Sequence, residues 1–161
     1  MVSLNLKAME KLSKNVSYKE GVYSITADRL GLKNKPNEEQ LANMKTIAEK
    51  VFQPLRQWVG GPVKINSFFR SPELNKAIGG SSKSQHCHGQ AIDIDDTFGK
   101  KTNAEMFTYI KETLDFDQMI WEFGDDNNPN WVHVSYVSPE ENRNRCLKAY
   151  KENGKTKYMV I

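Results

Sequence analysis

The feature that most constrains the fold is the order in which two hydrophobic periodicities follow each other along the chain. From Asn37 until Gly60 and Gly61, apolar residues recur at helical spacing, at Leu41, Met44, Ile47, Ala48, Val51, Phe52 and Leu55. The second half carries short stretches that alternate apolar and polar residues, as half-buried strands do. Helices and strands do not alternate one for one, so the sequence predicts a small α+β domain with a mixed or antiparallel sheet and helices packed to one side.

The other predicted elements are short and are separated by single glycine and proline residues. Helices are predicted at 24–30, shortly after Pro72 and at 104–114, and Pro54 is expected to kink the long helix late. Strands are predicted at 63–67, 91–94, 118–123 and 131–137. A closing hairpin is predicted to join 146–151 to 155–160 around Asn153-Gly154, a dipeptide that tolerates the positive φ of tight turns.

Composition and charge narrow the class of protein. The 161 residues, 38% of them hydrophobic, suit one domain, in which we expect residues 1–36 to pack on a body formed by residues 37–161. The 23 basic and 20 acidic side chains are interleaved, which argues against nucleic-acid binding. The sequence holds no apolar run of about eighteen residues, so no membrane span is predicted. Two cysteines, Cys87 and Cys146, exclude a disulfide framework.

The chain has three histidines, and all of them lie in two short segments. His86 and His88 fall within residues 84–93, which end at Asp93, and His133 lies on the predicted strand 131–137. Neutral imidazoles and a carboxylate suit zinc, whose catalytic sites take three protein ligands and leave a fourth position open. His86, Asp93 and His133 are therefore the predicted ligands of one zinc ion per chain.

These residues also carry a resemblance to a known family. Ser84, His86, Gly89, Ala91 and Asp93 match the Ser-x-His-x-x-Gly-x-Ala-x-Asp signature of zinc D-alanyl-D-alanine carboxypeptidases and phage L-alanyl-D-glutamate endolysins. The segments Phe69-Arg70-Ser71-Pro72 with Asn75, and Trp131-Val132-His133-Val134-Ser135, are similar to further family segments, so the resemblance runs from residue 37 to the C-terminus. It implies that His86, Asp93 and His133 bind zinc. It also implies the small α+β fold that this family shares with the hedgehog signalling domain.

A hydrolytic zinc site also needs a base that takes a proton from water. Several branches of the family place an acid three residues before the third ligand, where this chain has Asn130. Another branch, which this chain resembles more closely, has a glutamate at the end of the preceding strand, and Glu122 occupies that position. Its predicted strand 118–123 should pair with strand 131–137 and bring the Glu122 side chain beside His133. Glu122 is therefore the predicted catalytic residue, with Asp125 and Asp126 as alternatives that a solvated turn would also explain.

Two further residues are predicted to contact the substrate. Arg70 follows a strand directly, where a guanidinium can hold a carboxylate or carbonyl oxygen with two hydrogen bonds, and the resemblance gives it that role. Ser84 is expected to orient the substrate or a metal ligand. The His86-Cys87-His88 triplet would also fit a cupin-like oxygenase or isomerase, but Gly89 argues against a continuous strand there, so His88 is not a predicted ligand. Cys87 is not one either, because in an extended segment its side chain would point away from that of His86.

The resemblance implies a zinc-dependent peptidase that cuts amide bonds in the peptide stems of bacterial peptidoglycan. The bond could be a terminal D-Ala-D-Ala bond or an internal L-Ala-D-Glu bond. The alternative is a catalytically inactive zinc-containing module that binds peptidoglycan or serves a structural role in a phage. Lys7, Glu10 and Lys11 interrupt the N-terminal region, so no signal peptide is expected. A soluble monomer that stays in the cytoplasm until it is released to the cell wall, as a phage lysin or part of a virion, fits this pattern, and a host enzyme remains an alternative.

Overall fold

The computed structural model describes residues 10–161, and a six-stranded mixed sheet forms its centre. The sheet strands are β3 (Lys64–Ser67), β4 (Ala91–Asp95), β5 (Gln118–Glu122), β6 (Trp131–Ser135), β7 (Arg145–Glu152) and β8 (Lys155–Val160). They lie in the order β3-β4-β6-β5-β7-β8. Every neighbouring pair is antiparallel except β5 and β7, which run parallel. This sheet confirms the predicted α+β class.

Helices complete the described chain. They are α1 (Tyr18–Val22), α2 (Ile25–Leu30), α3 (Glu38–Ile47), α4 (Gln53–Val59), α5 (Pro72–Ala77) and α6 (Asn103–Thr113), with a π-helical segment at Ala48–Phe52 and a 3-10 turn at Gln85–His88. None of the helices within residues 10–161 is both long enough and apolar enough to cross a membrane.

The two faces of the sheet have different partners. Strand residues such as Ile92, Ile94, Val132 and Val134 belong to the main core, where they meet apolar residues of the helices: Met44 and Ile47 of α3, Leu55 of α4, and Met106, Phe107 and Ile110 of α6. Because side chains alternate along a strand, the neighbouring residues Asp93 and His133 point to the opposite face. Helices α3, α4 and α6 therefore cover one face, as predicted, and leave the side of Asp93 and His133 open for a site.

The long predicted helix begins where the sequence indicated but is interrupted. Asn37 caps α3 and forms a reciprocal capping box with Gln40, and Gly60 ends α4 with a positive φ of 74°. Between them the π-helical segment Ala48–Phe52 replaces regular α-helix immediately before Pro54. The irregularity predicted at Pro54 is thus a π-helical segment on its N-terminal side.

The N-terminal part forms elements that the sequence did not predict. Strands β1 (Lys11–Ser13) and β2 (Val16–Ser17) make a small antiparallel ladder, and α1 follows it directly. Leu12 and Val16 from this ladder are buried in the main core. The predicted helix after Ser24 is confirmed as α2, with Ser24 capping it and Gly31 in the left-handed conformation at its end.

Candidate metal centre

Three side chains converge on the free face of the sheet. One potential ligand atom from each of His86, Asp93 and His133 lies within 4.8 Å of the other two. Asp93 Oδ1 is 3.2 Å from His86 Nε2 and 2.9 Å from His133 Nδ1. The two imidazole rings meet edge to face, with centroids 5.1 Å apart. The structure thus brings together the three residues that the sequence selected as ligands.

The surroundings of His86 determine which of its nitrogens faces the cluster. Its Nδ1 lies 2.7 Å from the backbone carbonyl of Phe68, and a carbonyl can only accept, so Nδ1 carries the proton. Burial lowers the pKa of His86, which favours the neutral ring. The lone pair of Nε2 then faces the carboxylate of Asp93. Among the described residues, this buried nitrogen has no hydrogen-bond partner. A cation placed between this lone pair and the carboxylate would satisfy both.

The 3-10 turn that carries His86 is held from two sides. The Ser84 hydroxyl accepts a hydrogen bond from the His86 backbone N–H at 3.2 Å. On the other side, the Gln40 and Asn43 side chains of α3 donate to the carbonyls of Cys87 and His88 at 3.1 and 2.9 Å. Helix α3 therefore fixes the position of the 3-10 turn against the core.

The position of Gly89, at the end of the 3-10 turn, tolerates no side chain. Its φ is +72°, and an added Cβ would lie 2.4 Å from the backbone carbonyl oxygen of Gln40. Both the left-handed conformation and the close approach of α3 require glycine. The glycine of the sequence signature is thus a packing requirement of the turn that carries His86.

Asp93 and His133 come from neighbouring antiparallel strands. They are directly paired in the β4–β6 ladder, and Asp93 also pairs with Ser67 of β3. Burial alone would raise the pKa of Asp93, but the neighbouring His86 and His133 rings hold it well below its ordinary value. The carboxylate is therefore ionised on a rigid strand, which is the state a metal ligand needs.

The donor set and its spacing fit zinc. Two imidazole nitrogens and one carboxylate oxygen are ligands that catalytic zinc sites use, with bond lengths of about 2.0–2.2 Å. Tetrahedral geometry with such bonds separates neighbouring ligand atoms by roughly 3.3–3.5 Å. The separations of 3.2 and 2.9 Å are close to that range and need only a small opening. The third separation, between the two histidine nitrogens, is no more than 4.8 Å, so the cluster can hold a metal ion.

Arg70 lies behind Asp93 and restrains it. Its guanidinium approaches Asp93 Oδ2 at 3.2 Å, donates from Nε to Ser67 Oγ at 2.8 Å, and reaches Asn75 Oδ1 at 3.4 Å. Asn75 is buried and donates to the carbonyl of Ser81 at 2.7 Å. These contacts use three of the five guanidinium N–H groups, so two remain for a ligand in the cleft that Arg70 lines.

Glu122 lies on the same face as the three clustered residues. It pairs with Trp131 in the β5–β6 ladder, while Ile120 pairs with His133, so Glu122 is a diagonal neighbour of His133 rather than its direct partner. Its side chain is buried, and burial, together with the negative charge of Asp93, raises its pKa to about 7 against the opposing effects of His133 and Arg70. A carboxyl group with a pKa near neutrality can exchange protons at physiological pH.

The remaining candidates lie outside the cluster. Asp125 accepts hydrogen bonds from the backbone N–H groups of Asn127 and Asn128, and the exposed Asp126 forms an ion pair with Lys148. Asn130, which replaces the acid of other branches, is exposed, and its backbone N–H donates to the Glu122 carbonyl. Asp125 and Asp126 therefore occupy a solvated turn.

The other two side chains of the histidine loop also point away from the cluster. His88 is exposed, and Cys87 is a free, half-buried thiol in the 3-10 turn, where the sequence argument had assumed extended backbone. Neither residue belongs to the group whose ligand atoms converge.

Sequence reasoning missed two supports of the site. The Phe68 carbonyl fixes the His86 tautomer, and a backbone group leaves no trace in residue types. Asp117 accepts a hydrogen bond from Gln85 at 2.9 Å and is held by Arg143 through two charge-assisted bonds of 2.9 Å. The sequence does show Asp117 as an acid directly before the predicted strand 118–123, but nothing in its residue type or spacing distinguishes it from other acids.

An open cleft of about 660 Å³ contains the cluster. His86, Asp93, His133, Glu122, Arg70 and Ser84 all line it, together with apolar side chains of β5, β7 and β8. The cleft therefore joins the candidate ligands, the raised-pKa carboxyl and the arginine in one space that is open to solvent.

The comparisons with known proteins agree with this geometry. The family model described as Peptidase M15 matches residues 14–135, which include the histidine loop, Asp93, Glu122 and the strand of His133. A search of curated proteins gave no match. The family match covers about three quarters of the chain and confirms the resemblance found in the sequence. The chain therefore belongs to the peptidase M15 family.

Proposed function

We propose that the protein is a zinc-dependent hydrolase that cleaves amide bonds in the stem peptides of bacterial peptidoglycan. The observation that carries the proposal is the convergence of His86, Asp93 and His133 within 4.8 Å, in one cleft with the buried carboxyl of Glu122. M15 metallopeptidases are typically zinc-dependent, and this convergence supplies a site for the ion. The peptidoglycan substrate rests on the family resemblance, and so does a role as a phage lysin or virion enzyme.

His86 Nε2, Asp93 Oδ1 and His133 Nδ1 are the proposed zinc ligands. The unpartnered Nε2 lone pair and the ionised Asp93 supply donor atoms that need no deprotonation before the metal enters. When bound, zinc would act as a Lewis acid that polarises the scissile carbonyl and lowers the pKa of the attacking water. Arg70 keeps the second oxygen of Asp93 engaged, so that Oδ1 stays directed at the two histidines.

Glu122 is the proposed general base. Its pKa of about 7 leaves an appreciable fraction ionised at neutral pH while keeping the carboxylate basic enough to take a proton from water. After the carbonyl is attacked, the same carboxyl group can hand its proton to the leaving amine. Asn130 cannot perform either step, because an amide has no proton to exchange at this pH.

Arg70 and Ser84 are the proposed substrate contacts. Two N–H groups of Arg70 remain available in the cleft, where they can hold a carbonyl or carboxylate oxygen of the peptide. Ser84 lines the cleft and also caps the turn of His86, so it couples the position of the substrate to that of a ligand.

Digestion of purified peptidoglycan by the zinc-loaded protein tests the proposal. We expect release of free amino groups, and we expect Glu122→Gln to reduce the rate by about 10³-fold while the variant still binds one zinc per chain. Elemental analysis should find the metal lost in His86→Ala and His133→Ala. The exposed His88→Ala is the matched control and should keep both metal and activity.

The outcomes separate this proposal from its main alternative. Bound zinc without hydrolysis of any wall preparation would identify an inactive zinc-containing module instead. Full activity in Glu122→Gln would keep the hydrolase but remove Glu122 as its base. Protein that binds no zinc even after the ion is supplied would contradict the metal site itself.

A further inference from the structure

We infer that the site acts on an internal bond of an extended peptide chain, because the cleft runs through the metal cluster and continues on both sides of it. This inference rests on the proposed hydrolase function and specifies the class of substrate. An enzyme that removes one terminal residue needs room for a chain on only one side of the scissile bond. An endopeptidase needs a groove that accepts residues on both sides.

On one side of the cluster the cleft extends over the C-terminal hairpin. Glu122 pairs with Ala149 of β7, and Ala149 pairs with Tyr158 of β8, so the three residues form one row across the sheet. Ala149 is fully buried between its two larger neighbours. Leu147, Thr156 and Tyr158 line this part of the cleft. Tyr158 stays 55% exposed at the outer edge.

On the other side of the cluster lies a second hollow of about 360 Å³. It is lined by the start of α2, including Tyr23 and Ile25, and by Ser67 at the β3 edge of the sheet. Ile25 is 71% exposed, although it is a large aliphatic residue. The hollow shares Arg70, Ile78, Asp93 and Trp131 with the main cleft. The two spaces therefore meet at the metal cluster and form one groove.

The dimensions of the groove suit a peptide. It crosses the sheet from the β3 edge to the β8 edge, which is five strand spacings, or about 24 Å. An extended chain of about seven residues has that length. The cluster lies on β4 and β6, with the 3-10 turn above them, so the scissile bond would fall off-centre. The shorter arm runs towards α2 and the longer arm towards β8.

A blocked peptide tests the inference directly. The probe is a synthetic peptide of about seven residues that contains a stem sequence with L- and D-residues, acetylated at its N-terminus and amidated at its C-terminus. We expect the zinc-loaded protein to cut it at an internal bond, read by mass spectrometry, with kcat/KM within about threefold of that for the unblocked peptide. Removal of only the terminal residue, abolished by amidation, would overturn the inference and keep the hydrolase. Failure to cut any peptide or purified wall would overturn the hydrolase proposal, and this inference with it.

Two variants on opposite arms of the groove test its course. Tyr158→Ala and Ile25→Ala should each lower kcat/KM for the full peptide by about tenfold. Peptides shortened from one end or the other should each abolish the effect of one variant and preserve the effect of the other. Met159→Ala, on the opposite face of β8, and Leu30→Ala, at the far end of α2, are the matched controls because both residues are exposed and neither lines the groove. Variants that respond to the same truncation, or to neither, would contradict a groove that passes through the site.

Discussion

At the scale of single residues, Glu122 shows how a functional group is placed at a cost to stability. Its strand neighbour Ile120 and its cross-strand partner Ala149 belong to a small apolar cluster on the cleft side of the sheet. Folding therefore moves a carboxylate from water to apolar surroundings, and the charged form loses hydration. The desolvation that raises its pKa to about 7 makes Glu122 a suitable base. The same desolvation destabilises the folded state when the carboxyl group is ionised.

A stability measurement on the metal-free protein can detect that cost. The pKa of Glu122 is higher in the folded chain than its ordinary value of 4.5, so the folded state binds the extra proton and loses stability as pH rises from about 4.5 to 7. Glu122→Gln removes the charge. We expect it to raise the free energy of unfolding at pH 8 by up to about 3 kcal/mol and to have little effect at pH 4. Urea unfolding at both pH values measures the difference.

A matched acid separates this effect from a general response to lost charge. Glu112 is exposed on α6, and Glu112→Gln should change the free energy of unfolding by less than about 0.5 kcal/mol at either pH. If Glu122→Gln destabilised the metal-free protein at pH 8, the carboxyl group would be solvated or paired in the folded state. The prediction that Glu122 is a desolvated base would then be wrong.

Residue types and spacing predicted the members of the site but not their geometry. The signature residues His86 and Asp93, and His133 on its strand, follow from residue type and spacing. The orientation of His86 depends on the Phe68 carbonyl, which residue types do not reveal. The choice of Glu122 was possible because strand pairing could be anticipated, whereas its diagonal offset from His133 depends on the register.

At the scale of elements, the 3-10 turn Gln85–His88 depends on a glycine at its end. Gly89→Ala would place a methyl group 2.4 Å from the Gln40 carbonyl oxygen while the residue keeps a positive φ. Either the turn or α3 must move. We expect a loss of about 3 kcal/mol in the free energy of unfolding, together with weaker zinc binding, because the turn carries His86. Denaturant unfolding and zinc titration measure the two effects.

Gly79 provides the matched control for that substitution. Its φ of +76° is nearly the same, but an added Cβ would meet no atom within 4 Å. Gly79→Ala should therefore cost only the conformational penalty of about 1 kcal/mol and leave zinc affinity unchanged. Equal losses in the free energy of unfolding of the two variants would mean that the close approach of α3 does not determine the position of the turn that carries His86.

Elements with strong local signals were predicted well, and those without them were not. The caps Ser24 and Asn37, and the Asn153-Gly154 turn, each satisfy backbone groups locally, so their elements are confirmed. The strands β1 and β2 have only three and two residues, too few for a periodic pattern. The π-segment at 48–52 was missed for a related reason, since its apolar residues still fit the helical period around it.

At the scale of the whole molecule, the sequence predicted a mixed or antiparallel sheet but not the order of its strands. Strands that follow each other in the sequence are not always neighbours in the sheet. Strand β4 lies beside β6, and β5 lies between β6 and β7. The parallel β5–β7 pair arises because β6 ends beside the start of β5, and residues 136–144 cross at that end to the other side of β5, where β7 begins. This order brings Asp93, His133 and Glu122 onto three adjacent strands. The compact site is therefore a consequence of topology that residue patterns alone did not reveal.

The separation of core and site leads to a prediction about the metal. The main core lies between the helices and one face of the sheet, and the metal cluster lies on the other face, so the core does not need the ion to form. Zinc bound only by the folded state at 100 times its dissociation constant adds about 2.7 kcal/mol. Chelation should therefore lower Tm by about 5–10 °C and leave the far-ultraviolet circular dichroism at 20–25 °C unchanged.

Variants identify the source of that shift. His86→Ala and His133→Ala should melt at the same temperature with and without added zinc, whereas His88→Ala should show the full shift, because the His88 side chain lies outside the cluster. Loss of secondary structure on chelation would mean that the metal holds the fold together, as it does in small zinc-dependent domains. The measured shift would then report folding rather than binding. An intact but less stable metal-free chain is what a preformed site on a separately built sheet requires.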